Sequence, residues 1–122
     1  MSLIIYLLPY NIRKYLPLHM DYLDVFDLEK EIDLPQAFDS INVTNDDSVI
    51  KVTGLRFNDK YKGEMQMPRK VFFNNILIKL TVEGRRYSLK LFRNKIMITP
   101  KCQTKNECDT IIKFIQDQIR NR

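Results

Sequence analysis

The feature that most constrains the fold is an alternation of apolar and polar residues through the second half of the chain. It runs through three segments, Val71–Val82, Arg85–Arg93 and Lys95–Thr99. A period of two is typical of a β-strand with one buried face. Gly84 can adopt the positive φ of a tight turn, and Asn94 provides the second turn. The sequence therefore predicts three consecutive antiparallel strands joined by short turns.

The last segment predicts an amphipathic helix. Its start, Thr104–Glu107, has the spacing of a capping box, in which threonine and glutamate satisfy unpaired N–H groups. A helix with one apolar stripe packs on the apolar face of the strands, so we expect an α+β fold, an antiparallel sheet with helices on one face. The stripe consists of Cys108, Ile111, Ile112, Ile115 and Ile119.

The first half of the chain has weaker patterns and is expected to belong to the same domain, which then spans residues 1–122. We expect a helix that begins at Asp27 and is shortened or broken by Pro35, because proline removes a helical hydrogen bond. The other predictions are a buried strand at Ser2–Tyr10, strands at Ile41–Thr44 and Ser48–Phe57, and a charged loop at Asn58–Lys70.

Charge divides the chain into two unlike parts. Residues 1–50 carry three basic and nine acidic residues, whereas residues 51–122 carry 17 basic and six acidic residues. The net charges are therefore −6 and +11. A basic part of this density favours a polyanionic partner, and the acidic part favours a surface that faces protein or solvent. A solvated, lysine-rich surface is the alternative.

Composition excludes several other classes of protein. The longest apolar run, Leu3–Pro9, is far shorter than the roughly 20 residues that span a bilayer, and it lacks the basic leader and cleavage site of a signal peptide. Two cysteines are too few for a disulfide framework. We expect an intracellular protein with no membrane segment.

Strand alternation assigns the side chains to two faces. The apolar face is the predicted core and includes Phe72, Asn74, Ile76, Ile78, Leu80, Tyr87, Leu89, Leu91, Ile96 and Ile98. The opposite face combines four cations, no acid and two exposed phenylalanines, a combination that nucleic-acid-binding surfaces use and that a half-solvated sheet does not explain. Its members are Phe73, Asn75, Leu77, Lys79, Arg86, Ser88, Lys90, Phe92, Lys95, Met97 and Thr99.

The segment Phe73–Ile119 resembles one repeat of the TATA-box-binding protein family. Phe73–Leu80 (FNNILIKL) is similar to a strand of that family, and Ser88–Thr99 (SLKLFRNKIMIT) is similar to its strand–turn–strand unit. Lys101–Ile119 is similar to its helix cap and long helix, and Val52–Gly63 to the lead-in. The variants present here are most similar to the family's members in large nucleocytoplasmic DNA viruses.

The resemblance implies a curved half-saddle sheet and a role in transcription initiation, in the nucleus or in a cytoplasmic viral factory. It implies that Phe73 and Phe92 are wedges that open a step in the minor groove of A·T-rich double-stranded DNA. Lys79 and Lys95 match positions that face phosphates. The positions of Leu77, Met97 and Thr99 match those that contact base edges and sugars.

The chain also differs from the family pattern. Lys90 replaces an aliphatic residue of the groove floor, no glycine precedes Lys95, and Pro100 stands in place of a glycine. The family builds its saddle from two repeats, and this chain has length for one. The resemblance therefore implies a homodimer or a complex with a related subunit, within the transcription machinery.

Residue types that carry catalysis are sparse. His19 is the only histidine, Cys102 and Cys108 lack two further zinc ligands at a suitable spacing, and the acidic residues of 21–33 lack metal-ligand spacing. We therefore expect neither an enzyme nor a bound metal or cofactor. Two alternatives to duplex binding stay open: a protein-interaction module with no affinity for DNA, and a protein that stacks single-stranded nucleic acid on the same sheet.

Overall fold

The computed structural model describes residues 5–7, 24–66 and 74–120. Seven strands pair antiparallel throughout in one open, curved sheet, with the order β1-β2-β7-β6-β5-β3-β4. The fold is α+β, as predicted. In chain order the elements are β1 (Ile5–Leu7), β2 (Asp24–Leu28), α1 (Leu34–Ser40), β3 (Ile50–Phe57), β4 (Lys60–Gly63), β5 (Asn75–Val82), β6 (Arg85–Phe92), β7 (Lys95–Thr99) and α2 (Lys105–Arg120).

The three central strands confirm the strongest sequence pattern. Side chains alternate between buried and accessible along β5, β6 and β7. At the first hairpin, Glu83 and Gly84 both have positive φ, of 50° and 86°, which is the geometry of a type I′ turn that matches the twist of the strands. The predicted first strand was too long at its start. β5 begins at Asn75. Asn74 lies before this strand and is exposed, and Val71–Phe73 lie outside the described residues.

The core lies between one face of this sheet and the two helices. Ile78, Leu89, Ile98, Ile111 and Ile115 are all fully buried there. Helix α2 places Cys108, Ile111, Ile112 and Ile115 in the core, and Ile119 packs partly buried against it, as the periodicity predicted. The helices therefore cover one face of the sheet, here called the inner face, and within the described residues neither helix packs on the opposite, outer face.

The capping box at α2 forms with one change of partner. The Thr104 hydroxyl accepts the N–H of Glu107 at 3.1 Å, as expected for an N-cap threonine. The Glu107 carboxylate accepts the N–H of Gln103 at 3.2 Å, and it also accepts hydrogen bonds from Tyr87 and Arg85. One glutamate thus joins the helix start to β6.

The helix predicted to begin at Asp27 was wrong. Asp24–Leu28 is strand β2, which pairs with β7 and buries Asp24, Phe26 and Leu28 on the inner face. The helix begins later, at Leu34, where Asp33 accepts the N–H of Gln36 at 3.2 Å. Pro35 occupies the first turn, where its missing N–H has no helical partner to lose, so it favours the start instead of breaking the helix.

Two other predictions of the first half were also wrong. Ile41–Thr44 forms no strand, because the Thr44 hydroxyl accepts the Val52 N–H at 3.0 Å and so replaces a backbone acceptor of the ladder. The predicted loop Asn58–Lys70 contains strand β4, which pairs with β3 after a turn at Asn58, whose φ is 58°. Residues 67–70 of that segment lie outside the described range.

The ends of the sheet are formed by β1 and β4. Ile5–Leu7 lies inside the predicted strand Ser2–Tyr10, whose other residues lie outside the described part of the chain. Neither helix of the described chain is long and apolar enough to span a bilayer.

Candidate nucleic-acid interface

Of the eleven residues of the predicted face, all but Ser88 were predicted to contact DNA, and the structure brings nine of these ten to the outer face. Phe73, the tenth, lies outside the described residues. The nine reach this face because each falls on the solvent side of the strand alternation in β5, β6 or β7. They are Asn75, Leu77, Lys79, Arg86, Lys90, Phe92, Lys95, Met97 and Thr99.

The members of this set differ in exposure, and all the apolar ones are half-buried. Lys79, Arg86, Lys90 and Thr99 are exposed, whereas Asn75, Leu77, Phe92, Lys95 and Met97 are half-buried. The expectation of an exposed Phe92 ring was therefore too strong. The Lys95 ammonium lies over that ring, with Nζ 5.0 Å from its centroid, so a cation shields the ring from water. The outer face presents charge outermost and apolar surface beneath it.

A row of paired residues crosses five strands of the outer face. Arg56 pairs with Leu77, Leu77 with Lys90, Lys90 with Met97, and Met97 with Val25. Cations and apolar side chains thus alternate across β3, β5, β6 and β7, and Val25 extends the row on β2 with a second apolar side chain. A polyanion laid along this row meets positive charges on β3 and β6 and apolar contacts on β5, β7 and β2.

A depression of about 540 Å³ lies beside this row. Its walls combine two cations, Lys79 and Arg86, with hydroxyl groups of β3, β5, β6 and β7. Lys79 donates to the Ser88 hydroxyl at 2.8 Å, which directs the ammonium along the sheet. Ammonium, guanidinium and hydroxyl donors are the groups that bind phosphate oxygens. The Glu64 carboxylate at the same wall makes the depression less favourable for an anion. The hydroxyl residues are Thr53, Thr81, Ser88 and Thr99.

The outer face is wider than the sequence predicted. β3 adds the cations Lys51 and Arg56, and β4 adds Tyr61, which pairs with Arg56 and is 55% exposed. Tyr61 was missed because the sequence of Lys60–Gly63 was interpreted as part of a charged loop. The turn residues Asn58–Asp59 and the alternation that follows them could have identified this strand.

The prediction of a face without acids holds only for β5, β6 and β7. β2 contributes Asp27, an exposed carboxylate that pairs with Lys95. Across the described strands the outer face carries six cations and this one carboxylate, so its net charge stays strongly positive. The six are Lys51, Arg56, Lys79, Arg86, Lys90 and Lys95.

Of the described residues considered for catalysis, Asp27 lies on this face, whereas both cysteines, Asp24 and Asp33 lie away from it. Cys102 and Cys108 are both buried in the core. Of the acidic cluster, Asp24 is buried and Asp33 caps α1. His19 lies outside the described residues.

No family model, no curated protein and no solved structure matches this chain.

Proposed function

We propose that this protein is a single-repeat member of the TATA-box-binding type that binds double-stranded DNA through the outer face of its sheet. In this function the outer-face cations contact phosphates on both sides of an A·T-rich minor groove. Phe92, together with Phe73, wedges into a base step, while Leu77 and Met97 contact base edges and sugars. The biological role is in transcription initiation.

The observation that carries the proposal is the row Arg56–Leu77–Lys90–Met97–Val25, in which cations and apolar side chains alternate as far as Met97. A sheet face that only meets water needs polar groups, not apolar side chains set between cations. A minor groove offers both complements, because phosphates line its walls and sugars and base edges form its floor. The cations of β5, β6 and β7 then act together, since each phosphate contact releases a counterion.

The second half of the interface is proposed to come from another copy of the chain or a related subunit. The described sheet is open at β1 and β4, and its strands expose unpaired backbone groups at those edges. β4 is only four residues long, which limits edge pairing to a short ladder. A two-copy assembly would place two Phe92 rings and two sets of cations along one duplex.

A protein-interaction module is the second candidate, and the half-buried apolar members favour it. Met97 and Val25 are adjacent apolar side chains, Leu77 is a third apolar side chain two strands away, and Asp27 beside Lys95 suits a partner that carries both signs of charge. On this alternative the outer face binds protein and has no affinity of its own for DNA.

Sedimentation velocity with a fluorescently labelled A·T-rich duplex tests the proposal. We expect the duplex to sediment with two chains bound at low salt, and a single strand of the same sequence to bind more weakly. A duplex that sediments alone at low salt contradicts DNA binding and favours the interaction module. Tighter binding of the single strand would favour base stacking, with the exposed Tyr61 as the first ring to test.

A further inference from the structure

Three side chains with metal-binding groups meet in the core, on the side of the sheet opposite the proposed interface. Asp24 lies in β2, Cys102 in the connection before α2, and Cys108 in the first turns of α2. One carboxylate oxygen and the two Sγ atoms all lie within 4.8 Å of one another. The residues are 1%, 1% and 0% exposed.

Secondary structure holds these three groups in place. Asp24 is fixed by the pairing of β2 with β7, where it lies opposite Ile98. Its Oδ2 atom accepts the backbone N–H of Cys102 at 2.9 Å and lies 2.8 Å from the Sγ of Cys108. Cys108 is fixed in turn by the helical hydrogen bond from its N–H to the Thr104 carbonyl, at 3.2 Å. The cluster is thus assembled by a strand and a helix that are distant in sequence.

We propose that Asp24, Cys102 and Cys108 bind one zinc ion or another thiophilic divalent cation. Two sulfurs and one carboxylate oxygen are donors that zinc accepts, at about 2.3 Å and about 2.0 Å. A tetrahedron with those bonds has edges of roughly 3.3–3.8 Å, so the ligand atoms need to move by about 1 Å. The fourth position takes a water molecule or a further protein donor.

The binding step balances in charge and protons. The cation replaces two thiol protons, including the one shared between Cys108 Sγ and Asp24 Oδ2, and both protons pass to solvent. Two thiolates, one carboxylate and a divalent cation leave a net charge of −1. Because the ligands are buried, we expect the metal to be bound during folding and released only when the chain opens.

The consequence is structural. The metal would join β2, which forms one side of the outer face through Val25 and Asp27, to the start of α2. It lies on the inner side of the sheet and contacts none of the proposed DNA-binding residues. Metal binding and DNA binding are therefore separate properties, and either can fail without the other.

The test uses the full chain refolded with cobalt(II) or zinc(II) chloride, or with a chelator alone. We expect one metal per chain by elemental mass spectrometry. With cobalt we expect a thiolate-to-metal charge-transfer absorption and the intense visible bands of a tetrahedral site. We also expect a higher melting temperature with zinc than with the chelator.

Single substitutions then test which side chains are the metal ligands. Cys102→Ser, Cys108→Ser and Asp24→Asn should each weaken metal binding by at least the roughly 10–100-fold loss that second-shell changes cause. Asp117→Asn, which changes an exposed carboxylate of α2, is the control and should bind as the parent chain does. If the ligand variants fail to fold, the metal content and the cobalt spectrum of the parent chain still decide whether the protein binds metal at a thiolate site.

Three results would overturn the proposal. The first is a parent chain that folds to the same melting temperature with and without zinc and shows no cobalt charge-transfer band. The second is metal binding that survives both cysteine substitutions. The third is a Cys102–Cys108 disulfide in protein purified under air, detected by a mass lower by two hydrogen atoms, together with no bound metal in the reduced protein.

Discussion

The Nζ atom of Lys95 lies 5.0 Å from the centroid of the Phe92 ring, across the turn that joins β6 to β7. This contact links the two kinds of side chain that the outer face combines. The cation covers the ring in the free protein at a gain of about 0.5–1 kcal/mol, so the ring is partly protected from water until a partner displaces the ammonium. On DNA, the ammonium can move to a phosphate as the ring enters a base step.

The first prediction concerns this ring. Phe92→Ala should reduce the bending of an A·T-rich duplex, measured by energy transfer between dyes on its two ends, and Phe73→Ala/Phe92→Ala should abolish it, because no ring then opens the base step. The dependence of affinity on salt should stay nearly unchanged, since no cation is removed. Preference for flexible TA steps should be lost with the bend.

Phe114→Ala is the matched control for that experiment. Phe114 is also half-buried but packs from α2 against the core, on the inner side. It should lower stability and leave bending intact. Bending that is unchanged in folded Phe73→Ala/Phe92→Ala protein would contradict the wedge assignment.

A second prediction concerns the close approach of β3 and β4. A Cβ atom at Gly63 would lie 2.4 Å from the Thr53 carbonyl oxygen and 2.7 Å from Val43 Cγ2, and Gly63 has a φ of +68°. Gly63→Ala should therefore cost about 2–4 kcal/mol of unfolding free energy in a denaturant titration. Gly84→Ala is the control, because its φ of +86° is equally unfavourable but no atom lies within 4 Å. If both variants lose the same unfolding free energy, the atoms around Gly63 must move to make room for the added methyl group.

A third prediction concerns Lys62, whose hydrogen bonds link β4 to the end of α1. Its ammonium donates to the carbonyl oxygens of Phe38 at 2.6 Å and Ile41 at 2.8 Å, at the end of α1. Lys62→Met removes these donors and should cost about 1–3 kcal/mol. Lys60→Met changes an exposed lysine of the same strand and should stay within about 0.5 kcal/mol of the parent chain.

The same lysine gives a prediction about pH. Burial lowers the pKa of Lys62 below its ordinary value of 10.5, and the Asp39 carboxylate opposes that effect. Between the lowered pKa and 10.5 the unfolded chain binds this proton more strongly than the folded chain. The stability of the parent chain relative to Lys62→Met should therefore rise with pH through that window and stay constant below it. If the stability of the parent chain relative to Lys62→Met instead falls with pH in this window, the Lys62 ammonium is not in the partly buried environment described here.

A fourth prediction concerns the junction of β6 and α2. Glu107 accepts hydrogen bonds from Arg85, Tyr87 and the Gln103 N–H, and its side chain is 9% exposed. Glu107→Ala should cost about 2–4 kcal/mol in thermal or denaturant unfolding, since it leaves the buried Tyr87 hydroxyl without this acceptor. Asp109→Ala removes a carboxylate that pairs with Lys105 at the surface, and should cost less than about 1 kcal/mol.

The sequence predicted well those parts of the fold that depend on local patterns. β6, β7 and α2 carry clear periodicity and turn or capping residues, so their type and their faces were evident. β2 was mistaken for a helix because its partner, β7, lies about 70 residues later and no local signal identifies it. Pro35 was interpreted as a helix breaker because its effect depends on whether it falls in the first turn.

The outer face was predictable in part for the same reason. Its members in β5, β6 and β7 follow from alternation alone, whereas Tyr61 and Arg56 join it through long-range pairing. The buried cluster could not be inferred from spacing, because Asp24 meets Cys102 from 78 positions away along the chain. Motif searches detect metal ligands when they are close in sequence, and here one ligand comes from β2, far from the two cysteines along the chain.

The central claim is that cations of the outer face bind DNA phosphates, and the salt dependence of affinity tests it most directly. If the four cations of β5, β6 and β7 each neutralise one phosphate, log affinity falls against log salt with a slope of about −3.6 per chain. The double variant Lys79→Ala/Lys90→Ala should reduce this slope to about −1.8 and weaken binding on every duplex. Lys105→Ala/Lys113→Ala removes two exposed lysines of α2 and should leave the slope unchanged. A slope that is the same in all three proteins, or that falls equally in both double variants, would contradict DNA binding through the outer face.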